Sequence, residues 1–281
     1  MSVLTLTRNA IAGAILSATL ATGAMANECK MVIDFPAGGA LDFQARLMMK
    51  ANPDFQNLEY RVGGMSTLAI RFLEDNKDFA FFGSPSAFGA NSPMKNPPIE
   101  LVKIVLSAPL HALTNKGVTW EQLTTGKINL GIPGLGTSHH VLALQLKEIN
   151  PNIEIIPTGG DNKALPMIVN KDLDVYLVSA TNGVRWAKDH NLETIFTIAL
   201  GEKFKRGNIS LTSVAFNGIF VHKDATPEQK AHVMACVDRA VKSDVWINTL
   251  KDVNVTPLNI DGAEKDRLFN QYVGFMKKYG L

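Results

Sequence analysis

One pattern occurs twice and limits the fold more than any other: a short apolar run, a glycine turn, then a helix-spaced apolar face. The first copy is Val32-Ile33-Asp34-Phe35, then Pro36-Ala37-Gly38-Gly39, then Ala40 onward. Leu41, Ala45 and Met48 recur at spacings of four and three, which predicts a helix. The second copy is Ile128-Asn129-Leu130-Gly131-Ile132, then Pro133-Gly134-Leu135-Gly136, then a helix over Thr137–Ile149 capped by Thr137 or Ser138. Strand, glycine turn and helix in that order leave backbone N–H groups bare where the helix dipole is positive. Both turns therefore suit an anion. Without a ligand, each is an ordinary βα turn.

Between and after these units the chain keeps alternating. The first helix should stop near Asn52-Pro53, because proline disfavours helix at the residue before it. Leu58–Val62 reads as a strand and Ser66–Asp75 as a helix. Asp78–Phe82 is a second buried strand, ending in Gly83-Ser84-Pro85-Ser86, another loop able to line a cleft. Asn91–Pro98 is a surface loop. Leu101–Leu113 is one apolar run, and a domain crossing is expected at about residues 105–115. Thr119 caps a short helix. Strand Ile153–Ile156 leads through Gly159-Gly160 to Asp161, the natural N-cap of a helix through Val169. Asp172–Ser179 closes a further strand, and Thr194–Ala199 is another. Residues 201–213 are polar and turn-like. Val214–Val221 returns, Thr226 and Pro227 open a helix, and Asp261–Tyr279 is a terminal amphipathic helix. Strands alternating with helices predict an α/β fold. Two such halves joined by two crossings describe a cleft between lobes: residues 27–110 with 222–281 in one, 111–221 in the other.

The first 26 residues read as an export signal cleaved after Ala26. Arg8 is the only charge, Ala10–Gly23 is small and apolar, and Ala24-Met25-Ala26 has the small-x-small form of a signal-peptidase site. The stretch is short and diluted for a membrane span. Of 28 basic and 26 acidic side chains, loss of Arg8 leaves 27 and 26. A balance near +1 without a basic run argues against nucleic acid and against a polybasic membrane surface. Cys29 and Cys236, the only cysteines, are either a disulfide, which export favours, or two buried thiols.

The run Phe35-Pro36-Ala37-Gly38-Gly39-Ala40-Leu41-Asp42-Phe43-Gln44-Ala45-Arg46 resembles the first ligand loop of the tripartite tricarboxylate transporter receptors, the TctC or Bug family. Phe35, Gly38, Gly39, Asp42, Ala45 and Arg46 meet that pattern. Gly134, Gly136, Thr137 and His140 resemble its second loop, with His139 where a serine is usual. Pro157, Gly160, Ala164 and Leu165 resemble a third run, with Asp161 exchanging one capping residue for another; toward the cleft it would oppose a carboxylate or greet an ammonium. Ser179 ends a matching strand. Two departures stand out: only Gly63-Gly64 remains of a longer glycine-rich insert, and residues 201–213 lack the usual Pro-Thr-x-x-Glu segment.

The resemblance implies a type II periplasmic binding-protein fold, no cofactor or metal, and a receptor that hands a small carboxylate to a membrane permease. The ligand would be a tri- or dicarboxylate, an acidic amino acid or an aromatic acid. Phe35, Gly38, Gly39 and Asp42 would contact it from one side, with Gly83 and Ser84. Gly136, Thr137, His140, Gly160, Asp161 and Ser179 would do so from the other. A sensor partner in place of a permease is one alternative. A periplasmic enzyme using the same cleft is another, but the residues offer it little. No Gly-x-Ser-x-Gly elbow occurs. His139 and His140 are adjacent and point about 100° apart on a helix, poorly placed to chelate one metal. Gly134-x-Gly136-x-x-His139 lacks the third glycine of a dinucleotide fingerprint, and a histidine there obstructs helix–strand packing.

Overall fold

The computed structural model describes residues 28–89, 92–115 and 117–281; the expected export signal lies outside them. The first sheet opens with β1 (Cys29–Ile33), α1 (Ala40–Ala51), β2 (Phe55–Tyr60), α2 (Thr67–Asp75) and β3 (Ala80–Gly83). A single 3-10 turn at Pro85–Phe88 leads to β4 (Ile99–Ser107). The second sheet holds β5 (Leu110–Thr114), then α3 (Trp120–Thr125), β6 (Ile128–Ile132), α4 (Ser138–Ile149) and β7 (Ile153–Pro157). It continues through α5 (Asp161–Val169), β8 (Val175–Ser179), α6 (Ala180–Asp189) and β9 (Glu193–Ile198). A hairpin of β10 (Lys203–Arg206) and β11 (Ile209–Thr212) precedes β12 (Asn217–His222), α7 (Pro227–Val241), α8 (Asp244–Asp252), β13 (Thr256–Ile260) and α9 (Gly262–Lys278).

The two sheets have the orders β13-β4-β12-β3-β1-β2 and β7-β6-β8-β5-β9. In the first sheet β4 runs antiparallel to β13 and β12. β12 is antiparallel to β3 as well, and in the second sheet β5 is antiparallel to both β8 and β9. Both β12 and β5 arrive from the other sheet. The apolar run 101–113 divides at Ala108-Pro109, within residues 105–115, where the chain changes sheets. It changes back ahead of Asn217. Residues 217–221, grouped with 111–216 from the sequence, hydrogen-bond within the six-stranded sheet.

Alternation along the strands sorts the core into layers. Met31, Ile33 and Phe82 face α1, α7 and α8, whereas Val32, Phe81 and Phe220 face α2 and α9. In the second sheet Leu130 and Leu177 face α4, and Tyr176 and Val178 face α5 and α6. Each fully buried Leu or Phe contributes about 1.5–3 kcal/mol. Both sheets are thus covered on both faces, which leaves the carboxyl ends of their strands as the open edges. Residues 201–213 are not mere turns. Phe204 packs on Trp120 and Phe196, Leu211 is fully buried, and Gly207 turns the hairpin at φ +60°. A disulfide joins Cys29, at the head of β1, to Cys236 on α7, with Cα atoms 5.9 Å apart. Asn52 braces it, donating to the Cys236 carbonyl at 3.0 Å.

Candidate functional site

The loop after β1 is built around Asp42. Gly38 stands at φ +82° and donates its N–H to Asp42 Oδ2 at 2.7 Å. Tyr60 and Arg46 bond the other carboxylate oxygen. Burial pushes the Asp42 carboxyl up, but the Tyr60 hydroxyl, the Gly38 amide and Arg46 outweigh it and hold it below the usual range. Asp42 and Gly38 therefore shape the loop from behind, while Phe35, Gly39, Ala40 and Leu41 line the cleft.

The loop before α4 follows the same logic. Gly136, at φ +73°, donates to His140 Nδ1 at 3.1 Å, and its carbonyl accepts the Tyr272 hydroxyl at 2.8 Å. Thr137 caps the helix, accepting from the His140 amide at 3.3 Å and donating to the Gly134 carbonyl at 2.8 Å. Gly136 and His140 stand behind the wall; Thr137, Ser138 and His139 form it. Both ring nitrogens of His139 are shielded from water and bonded to nothing. Burial drives its pKa down to about 4, against the opposing pull of Asp161, so the ring is neutral near pH 7.

Two more helices begin at the same place. Gly160, at φ +124°, takes the cap position of α5, and Asp161 is the first helical residue rather than the expected cap. Its carboxylate accepts the Tyr176 hydroxyl and the Asn182 amide, each at 2.8 Å. Ser179 ends β8 and precedes α6; it is 8 % exposed and its hydroxyl has no partner. Across the cleft, Ser84 Oγ approaches the Tyr272 hydroxyl but completes no hydrogen bond. Gly83 packs beneath, where a Cβ would stand 2.8 Å from the Phe81 ring.

The N-termini of α1, α4, α5 and α6 thus converge on one cleft of about 760 Å³, its open mouth included. Phe35, Leu41, Leu110 and Phe216 supply an apolar wall. The halves meet around it: Asn162 Nδ2 donates to the Ala37 carbonyl at 3.0 Å, and Gln44 bridges Thr181 at 3.0 Å and Asn217 at 2.7 Å. Gln44, Asn162 and Asn217 escaped the sequence reading, and His139 entered it only as a departure in the second loop. Gln44 is one helical turn from Leu41, and Asn162 adjoins Asp161, so neighbourhood to the predicted loops was the available signal. Among the described lining residues no hydroxyl is hydrogen-bonded to a histidine ring or a carboxylate, the pairing that activates a nucleophile. Cys29, His232 and Cys236 lie close enough to share a metal, but the two sulfurs are joined to each other, at the opposite end of β1 from the cleft loop.

No family model matches the chain, and no curated protein does. Solved structures match its shape. The periplasmic binding protein BugD superposes with a TM-score of 0.71 at 16% identity, covering 90% of this chain and 97% of its own. The chain has the fold of the bilobed periplasmic binding proteins. MatC from Rhodopseudomonas palustris with bound malate gives a TM-score of 0.70 at 17% identity, covering 90% and 97%. A second R. palustris protein, with adipate, gives 0.71 at 13%, covering 90% and 94%.

Proposed function

We propose that this protein is an exported solute-binding receptor of the tripartite tricarboxylate transporter type, which captures a small carboxylate and delivers it to a membrane permease. The observation that carries this reading is the convergence of four helix N-termini on one cleft whose buried polar atoms at Ser84, His139 and Ser179 have no protein partner. Buried polar groups are nearly always hydrogen-bonded, so a site that leaves several open is built for a ligand that completes them. The likeness in shape to proteins with malate or adipate supports the ligand class. The disulfide supports export, and the small-x-small run ending at Ala26 is the proposed cleavage site.

In this reading one lobe is residues 28–107 with 217–281 and the other is 110–213. Gly39 amide, Ser84, Thr137, His139, Gly160 and Ser179 contact the ligand, while Gly38, Asp42, Gly83, Gly136 and His140 hold the loops that present them.

Thermal shift and calorimetry on protein purified from the periplasm test the assignment, after native mass spectrometry of what copurifies. Gly39 has an ordinary φ of −82° and room for a Cβ, which would lie 3.5 Å from the Pro36 carbonyl, so Gly39→Val should fold while covering the amide. Losing one charge-assisted hydrogen bond weakens binding roughly 10- to 150-fold. Gly39→Val and Ser179→Ala, whose hydroxyl is free to donate, are expected to fall in that range, and Lys277→Ala, on the exposed face of α9, to match wild type. Wild-type affinity in both cleft variants would reject the site.

A further inference from the structure

The charge balance of the cleft bears on which ligand it can hold. Among the described residues Asp161 is the only side chain lining it that bears a formal charge; no described lysine or arginine lines it, and His139 is neutral. The open helix ends of α1, α4 and α6 each offer roughly half a positive charge, enough for one carboxylate. At α5 that place is already taken by Asp161 itself. A second anionic group on the ligand would enter a site holding a fixed carboxylate and no cation to offset it.

Asp161 can still accept. Each of its oxygens receives one hydrogen bond, from Tyr176 and from Asn182, and a carboxylate offers about four acceptor positions in all. Those two donors also hold it in one orientation at the cleft wall. The remaining wall is largely apolar, through Phe35, Leu41, Leu110 and Phe216.

We propose that the ligand is a net-neutral zwitterion, an α-amino acid with an apolar side chain, whose ammonium is received by Asp161 and whose carboxylate lies on the helix ends of α1 and α4. This rests on the receptor reading above and narrows it. Asp161 is then the residue that sets specificity, rejecting dicarboxylates by repulsion and accepting amino acids by an ion pair at the partly buried cleft wall.

The test uses the exported protein, unfolded without reductant and refolded to strip any bound molecule, and titrated by calorimetry. The probes are a panel of apolar amino acids including leucine and phenylalanine, their deaminated analogues 4-methylpentanoate and 3-phenylpropanoate, and malate and adipate. At least one amino acid should bind, with its deaminated analogue roughly 10- to 150-fold weaker. Asp161→Asn, isosteric and able to keep the Tyr176 bond, should erase most of that difference. The wild-type comparison decides the matter even if the variant is unstable. Equal affinity for amino acid and analogue overturns the proposal, as does tight dicarboxylate binding without amino-acid binding, which would leave the receptor reading standing. If no amino acid and no carboxylate binds, both fall together.

Discussion

Gly38→Ala separates the stability of the first loop from the closure of the cleft. Gly38 stands at φ +82°, a region that costs an L-residue roughly 1–2 kcal/mol. That cost is present whether the lobes are apart or together. At about 2–4 °C per kcal/mol for a chain of this size, the melting temperature of the free protein should fall by roughly 2–8 °C. A second effect arises only where the lobes meet. The new Cβ would stand 2.7 Å from Asn162 Nδ2, the atom that donates to the Ala37 carbonyl. The Asn162 side chain must swing away, and its hydrogen bond, worth about 0.5–1.5 kcal/mol net, is lost. Affinity should therefore drop roughly 2- to 13-fold. Asn162→Ala should weaken binding by the same factor with little change in melting. The double variant should bind no worse than either single one, because both act on one contact. Differential scanning fluorimetry on free protein and calorimetry with the native ligand read the two effects separately. A Gly38→Ala protein that melts early yet binds like wild type would falsify the link between this contact and ligand capture.

Two further outcomes follow from groups outside the cleft. Burial raises the Asp34 carboxyl to about 6, above its free value of 3.8, so the folded state holds this proton more tightly than the unfolded chain. Its destabilising contribution is absent below the free pKa, grows between about pH 4 and 6, and is complete above that, up to about 3 kcal/mol. Asp34→Asn should remove that slope from melting curves taken at pH 4 to 8, and parallel curves for the two proteins would reject it. Exchanging Cys29 and Cys236 for serine opens a loop with a sequence separation of 207, worth roughly 5 kcal/mol in the chain-entropy model. A large drop in denaturant midpoint is expected, and two titratable thiols in the unreduced wild-type protein would refute the bridge.

Local chemistry was legible in the sequence and long-range pairing was not. The turns at Gly38 and Gly136 could be read because both need a positive φ, and Thr119, Thr137 and Thr226 could be read as caps because an N-cap hydroxyl serves its own helix. Asp161 looked like one of these caps. Its partners, Tyr176 and Asn182, lie on the next strand and helix, beyond the reach of any local pattern. The apolar run 101–113 placed a crossing only within residues 105–115 and not at one position, since a strand buried on both faces reads alike whichever sheet holds it. The 203–212 hairpin was missed because its strands are short and polar residues flank Phe204, Ile209 and Leu211, and the apolar half buries only once α3 and β9 are in place. Asp34 looked like part of a strand, and its burial beside Ser66 depends on α2 folding over it.

The exchange of strands between sheets also sets an order of completion. The five-stranded sheet needs nothing outside Leu110–Ile198, a single uninterrupted stretch. The six-stranded sheet cannot close until β12 slots between β3 and β4, pairing Gly218 with Gly83 across 135 positions of chain. Until then β3 and β4 present two bare edges, the kind of surface that recruits other strands. As the chain emerges from its amino end, the lobe that begins first is therefore finished last. Its lengthy exposure is a hazard during biogenesis. The Cys29–Cys236 bridge, whose second sulfur lies on the helix just after β12, can seal only that late step. A chain stopped short of Asn217 would carry a complete second lobe tethered to an unfinished first one.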